Sequence, residues 1–155
     1  MATVRWISRN NIDKIEKELD YLRKHTVWVG FVGDEADKKV DTVTIWEYSL
    51  YNEYGSSSRN IPSRPFFRTA INNNRKYIKD ELKRLLQMVA LGQLTGEKAL
   101  KSIGLEVQGI VQDSIKNGNW EPNSVKTMKA KDFKGQPLIE TSSMIKAVSF
   151  EIRRK

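Results

Sequence analysis

Residues Thr95 to Gly118 read TGEKALKSIGLEVQGIVQDSIKNG. Leu100, Ile103, Val107, Ile110, Val111 and Ile115 recur at three- and four-residue intervals, which puts them on one face of a helix. Thr95 suits the cap at its start and Gly118 the stop at its end. Gly104 and Gly109 each weaken such a helix by up to about 1 kcal/mol relative to alanine, so close packing against a neighbouring helix or strand is expected there.

Upstream, Pro65 fits the first position of another long helix, which carries Ile71, Ile78, Leu82, Leu85, Leu86 and Val89 and closes at Gly92. Gly55 to Ser63 is a polar, serine-rich loop, expected to be a mobile segment. Val43 to Tyr54 has strand propensity but also a helical stripe of Val43, Trp46, Leu50 and Tyr54; helix is favoured, with Thr42 as cap and Gly55 as stop. Gly33 to Asp41 is charged and reads as a loop. The run Val27-Trp28-Val29-Gly30-Phe31-Val32 predicts a strand covered on both faces. Ile12, Ile15, Leu19 and Leu22 mark an amphipathic helix capped by Asn10 or Asn11 and ending near Lys24 or His25.

Downstream, Asn119 to Pro137 has little periodicity and reads as a long loop. Thr141 or Ser142 starts a helical turn through Ala147, and Val148, Phe150 and Ile152 then alternate with polar residues as a half-exposed strand. The expected fold is one α+β domain over residues 1–155. Two long helices pack on a small, mostly antiparallel sheet, joined by long extended loops.

The chain has 155 residues, 39% of them hydrophobic, enough to offset much of the ordering entropy of one domain. No stretch approaches the roughly 18 apolar residues of a spanning helix, and Met1 to Asn10 carries Arg5 and Arg9 without a long apolar run, so no secretory signal is expected. Cysteine is absent, which excludes disulfides and thiolate chemistry. The net charge of +8 points to an anionic partner, nucleic acid most often, or to a generally basic soluble surface. Between Arg64 and Leu91, seven Lys or Arg face two acids; between Lys116 and Lys155, nine face four, so the excess is spread out.

Catalytic groups are sparse. His25 is the one histidine and sits between a helix and a strand, where a capping or surface role is expected. Asp34, Glu35, Asp37 and Asp41 lack the spacing of a calcium loop, and Lys38 and Lys39 would repel the ion. Glu47 and Glu53 are six apart and point to different helix faces, which argues against a carboxylate pair. No phosphate-loop motif occurs. Neither enzymatic activity nor a cofactor or metal is expected.

Residues 51–70, YNEYGSSSRNIPSRPFFRTA, resemble the core of the tail-completion or neck proteins of tailed bacteriophages, a head–tail joining and virion morphogenesis family. Asn52, Glu53, Tyr54 and Gly55 match its asparagine-glutamate-aromatic-glycine turn, and Ile61, Pro62, Arg64, Pro65 and Phe66 its isoleucine-proline-x-arginine-proline-phenylalanine helix opening. Residues 117–131, NGNWEPNSVKTMKAK, are similar to its glycine-x-tryptophan-x-proline stretch. Residues 137–152, PLIETSSMIKAVSFEI, are similar to its proline-leucine-x-x-threonine stretch, with Ser142 where the family usually has glycine. The resemblance spans about 27–152, leaving 1–26 as an N-terminal extension and helix.

The resemblance implies a structural protein of the virion neck or tail, assembled in the bacterial host cytoplasm. It implies a ring, often a hexamer, between head-side connector or stopper proteins and the tail terminator or tail tube. DNA would pass through the lumen without specific binding. The partner-contacting residues expected are Ile61, Pro62, Arg64, Pro65 and Phe66, together with Trp120, Lys126, Lys131 and Pro137. Phe66 and Phe67 also suit core positions, and Trp120 also suits a cover over the end of the second long helix. Two other readings stand beside this one: a basic nucleic-acid-binding module, which lacks the usual signatures, and a small hydrolase, which lacks a triad.

Overall fold

The computed structural model describes residues 9–40, 42–122 and 142–155, and the fold is α+β. In chain order it runs α1 (Arg9–Lys24), β1 (His25–Phe31), α2 (Asp34–Asp37), β2 (Lys39–Val40), β3 (Val43–Thr44) and α3 (Ile45–Tyr54). There follow a 3-10 turn (Ser57–Arg59), α4 (Phe66–Asn73), α5 (Arg75–Ala90), α6 (Gly96–Asn117), α7 (Ser143–Ala147) and β4 (Val148–Arg154). β1 and β4 pair antiparallel, from His25 opposite Arg154 to Phe31 opposite Val148; β2 and β3 form a second, minimal pair.

The sequence period of α6 is realised except at Ile110, which is half-buried. Ile103, Val107, Val111 and Ile115 are all buried, and α1, α4, α5, β1, β4 and α7 all pack on this helix. Thr95 accepts a hydrogen bond from the Lys98 N–H at 3.3 Å, and Glu18 of α1 accepts one from the Gly96 N–H at 2.8 Å, so two side chains serve the first turn. Two apolar clusters form along it. One joins Ile45, Phe66, Ala70, Val111, Ile115, Met144, Ala147 and Val148. The other joins Leu85, Val89, Ala99, Ile103 and Val107, with Leu19 and Leu22 packed against them.

Several expectations need correction. The run from Pro65 to Leu91 is two helices, because three asparagines precede the break. The Asn74 side chain donates to the Ala70 carbonyl at 2.9 Å and competes with the backbone ladder. Pro65 is the N-cap rather than the first helical residue. Gly33 to Asp41 contains the helical turn α2 and strand β2, with Ala36 buried; Asp41 lies outside the described residues. β1 is covered on one face only, since helices lie on one side of a two-stranded sheet: Val27 and Val29 pack inward, while Trp28 is 53% exposed beneath Arg153.

α3 is a helix, as favoured, but Thr44 caps it instead of Thr42. Thr44 and Glu47 form a reciprocal capping box, and the Thr44 hydrogen bonds hold the Glu47 carboxyl below its usual pKa.

The two glycines of α6 differ. A Cβ on Gly104 would lie 2.5 Å from Phe150 of β4, whereas one on Gly109 would meet nothing within 4 Å. Gly104→Ala should destabilise the fold by about 1–3 kcal/mol through overpacking, and Gly109→Ala should stabilise it by about 0.5–1 kcal/mol. Urea unfolding of the two variants beside the parent checks both signs.

Candidate functional site

α3 ends with Asn52 and Glu53 turned inward, and the chain reverses at Gly55, whose φ of 79° suits glycine. A bridge between Ser56 and Ile61 closes the loop. The chain then returns so that the Arg64 N–H donates to the Asn52 carbonyl at 2.6 Å.

Arg64 is 3% exposed. Its guanidinium donates to Asn52 Oδ1 at 2.7 Å, to the Glu121 carbonyl at 2.7 Å and to the Pro122 carbonyl at 3.2 Å. Burial lowers its pKa, with the charge of Glu121 acting in the opposite sense. Asn52 is itself fixed by donating from Nδ2 to the Tyr48 carbonyl. One planar cation thus ties the end of α3 to the segment after α6.

Glu53, 5% exposed, does for α4 what Pro65 cannot. Its carboxylate accepts from the N–H groups of Phe67 at 2.8 Å and Arg68 at 3.2 Å, and from Arg68 Nε at 2.8 Å. A carboxylate at a helix N-terminus is favoured by the orphan N–H groups and by the dipole. Among the described residues, no buried side-chain polar atom is left unpartnered.

Phe66, at 1% exposure, packs edge-on to Phe31 at 6.0 Å in the first cluster. Trp120 is half-buried over the end of α6. Its Nε1 donates to the Ser114 carbonyl at 2.9 Å, and Gly118 leaves room for the indole. Arg64 and Phe66 are therefore enclosed within the chain, whereas Trp120 keeps part of its ring at the surface. Ile61 and Pro62 are half-buried and line an open, polar cleft of about 630 Å³ with Tyr54, Asn60 and Pro122. Pro65 is also half-buried. Lys126, Lys131 and Pro137 lie outside the described residues.

His25 stacks on Tyr21 at 3.9 Å, and its Nδ1 lies 2.8 Å from the Tyr21 carbonyl oxygen. Glu47 and Glu53 each serve a helix start. Among the described residues, no group of acids and histidine has a metal-binding arrangement, and no helix is long and apolar enough to cross a membrane.

The apolar stripe of α3 does not face the core. The stripe Trp46, Leu50, Tyr54 points outward at 41%, 44% and 63% exposure, while Ser49, Asn52 and Glu53 are buried. Ser49 bonds locally to the Trp46 carbonyl at 2.6 Å, whereas Asn52 and Glu53 find partners in Arg64 and at the start of α4, beyond the reach of local pattern. Comparison with protein-family models, curated proteins and solved structures returns no match to this chain.

Arg64→Met should cost about 2–3 kcal/mol, because the buried Asn52 oxygen loses a charge-assisted partner, and should free residues 119–122. Chemical unfolding gives the first quantity; faster amide exchange at Trp120 and Glu121 reports the second.

Proposed function

We propose that this chain is a non-catalytic structural subunit of a phage neck, forming a ring that joins the head connector to the tail tube or its terminator. The observation that supports this reading is the meeting of the motif segments. Residues 51–70 and 117–122, far apart in sequence, converge on Arg64. The asparagine, glutamate, arginine and phenylalanine of the resemblance each have a distinct physical task at that corner. Such a corner ties both ends of the surface loop Gly55 to Ser63 beside an exposed aromatic face, and a loop pinned at its ends loses less entropy on docking.

Ring closure needs two different patches on each subunit that match each other around the circle. A hexamer, with head-side and tail-side proteins on its two faces and DNA crossing the lumen, is the assembly we infer. The basic balance suits diffuse attraction to passing phosphates.

Deleting the gene from its source phage should yield filled heads and separate tails by electron microscopy. Joined, infectious particles at normal yield would reject the neck role. Tight duplex binding by the purified chain at physiological salt would then favour the nucleic-acid-binding reading.

A further inference from the structure

The first half of α5 concentrates positive charge that the fold does not use. Elsewhere, several exposed cations sit beside an acid of their own helix: Lys24 with Asp20, Lys38 with Glu35, Arg84 with Glu81 and Lys101 with Glu97. On α1, Lys14 and Lys17 are interleaved with Asp13 and Glu16. On α5, Arg75, Lys76, Lys79 and Lys83 are all exposed, and among the described residues none of their side chains meets an acid or a hydrogen-bond acceptor. At 3.6 residues per turn the four fall within one sector of about 100°, and Asp80 and Glu81 lie outside it. Two neighbouring acids have other partners: Glu81 holds Arg84, and Glu106 of α6 accepts from the Tyr77 hydroxyl at 2.6 Å.

This placement works against the helix. The macrodipole puts partial positive charge at a helix start, where acids are favoured and cations are not. α5 has no acid in its first turn and no side-chain cap, yet Arg75 and Lys76 stand there. The first N–H groups of the helix add to the same positive potential. Further along, the same face turns apolar at Leu86 and Ala90, so the charged part is the first half alone.

The chemistry narrows the anion that would answer this charge. From Arg75 to Lys83 the helix rises about 12 Å. Duplex DNA carries one phosphate charge per roughly 1.7 Å of its axis, so one stretch of backbone can face all four cations together. Three of the four are lysines, hydrated point charges that suit backbone contact better than bidentate reading of bases. Lysine is also depleted at protein–protein interfaces. A membrane surface would need the apolar side of the helix as well, and Ile78, Leu85 and Val89 are committed to the second cluster.

We propose that the first half of α5 takes the phosphate backbone of duplex DNA through Arg75, Lys76, Lys79 and Lys83, without reading its sequence. In the ring of the neck reading this turns α5 towards the lumen; the proposal rests on that reading for its biological setting.

The test is fluorescence anisotropy of a labelled random duplex of about 20 base pairs, titrated with the full chain across a salt series. Four phosphate contacts give a slope of log affinity against log salt of about −3.6, which is roughly a hundredfold loss between about 50 and 200 mM salt. Lys76→Glu with Lys79→Glu should weaken binding about tenfold or more at low salt and reduce the slope by about 2. Lys14→Glu with Lys17→Glu on α1 makes the same change in net charge and should leave the slope unaltered. Melting by circular dichroism should show the α5 variant at least as stable as the parent, since it places acids near a helix start; Lys76→Gln with Lys79→Gln replaces it if it does not fold.

The proposal is overturned if the duplex is not bound at low salt, if the α5 variant binds like the parent, or if the α1 variant loses as much as the α5 variant. Binding to phosphatidylserine vesicles in place of the duplex overturns it as well. The gene deletion separates the two ideas. Unjoined heads and tails with an unaffected α5 variant would remove this surface and leave the neck role, and α5-dependent duplex binding with normally joined particles would do the reverse.

Discussion

The approach of Phe150 to the bare backbone of α6 at Gly104 sets the geometry on which the rest is built. A two-stranded sheet has too little buried surface to stand alone in water. β1 and β4 persist because their inner residues rest on a helix that admits them closely. Gln112 adds a polar tie from the same helix to the Ile145 carbonyl at 2.9 Å. Gly96 repeats the device at the other end of α6, where a Cβ would lie 2.8 Å from the Glu18 carbonyl of α1. Small residues on one helix therefore decide how near the sheet and α1 come.

The corner around Arg64 and Glu53 is a second kind of constraint, polar and internal. Burying a cation and a carboxylate is costly unless every remaining donor and acceptor is met. Here the carbonyls of Glu121 and Pro122, the Asn52 amide and the orphan N–H groups of α4 meet them. Such a network tolerates one arrangement, so the loop from Gly55 to Ser63 is held by its two ends.

Much of this was legible in the sequence. The period of α6, the helix α1, the pairing-competent strands and the turn into β4 all follow local rules, and Thr95 and Gly118 mark their boundaries. Where reading failed, a long-range polar partner had overridden local pattern. The outer stripe of α3 has better apolar spacing than its inner face, yet Glu53 and Asn52 turn inward because α4 and Arg64 supply hydrogen bonds from elsewhere. Likewise the break at Asn74 comes from competition by a side chain within an otherwise helical run. Asn52, Glu53, Arg64 and Phe66 meet at one corner, and their burial was not legible, since arginine is rarely fully enclosed.

The pairing of β1 with β4 carries a consequence for how the protein is made. β1 leaves the ribosome early, and its only described strand partner emerges after α3, α4, α5 and α6 have been synthesised. Helices can form and pack in that interval, but the inner face of β1 has no strand beside it until the late residues arrive. Non-local closure of this kind is a slow step and leaves a strand edge open to strangers in the meantime. A cell making many copies at once would thus hold a crowd of half-closed chains, each with β1 exposed until β4 emerges to pair with it.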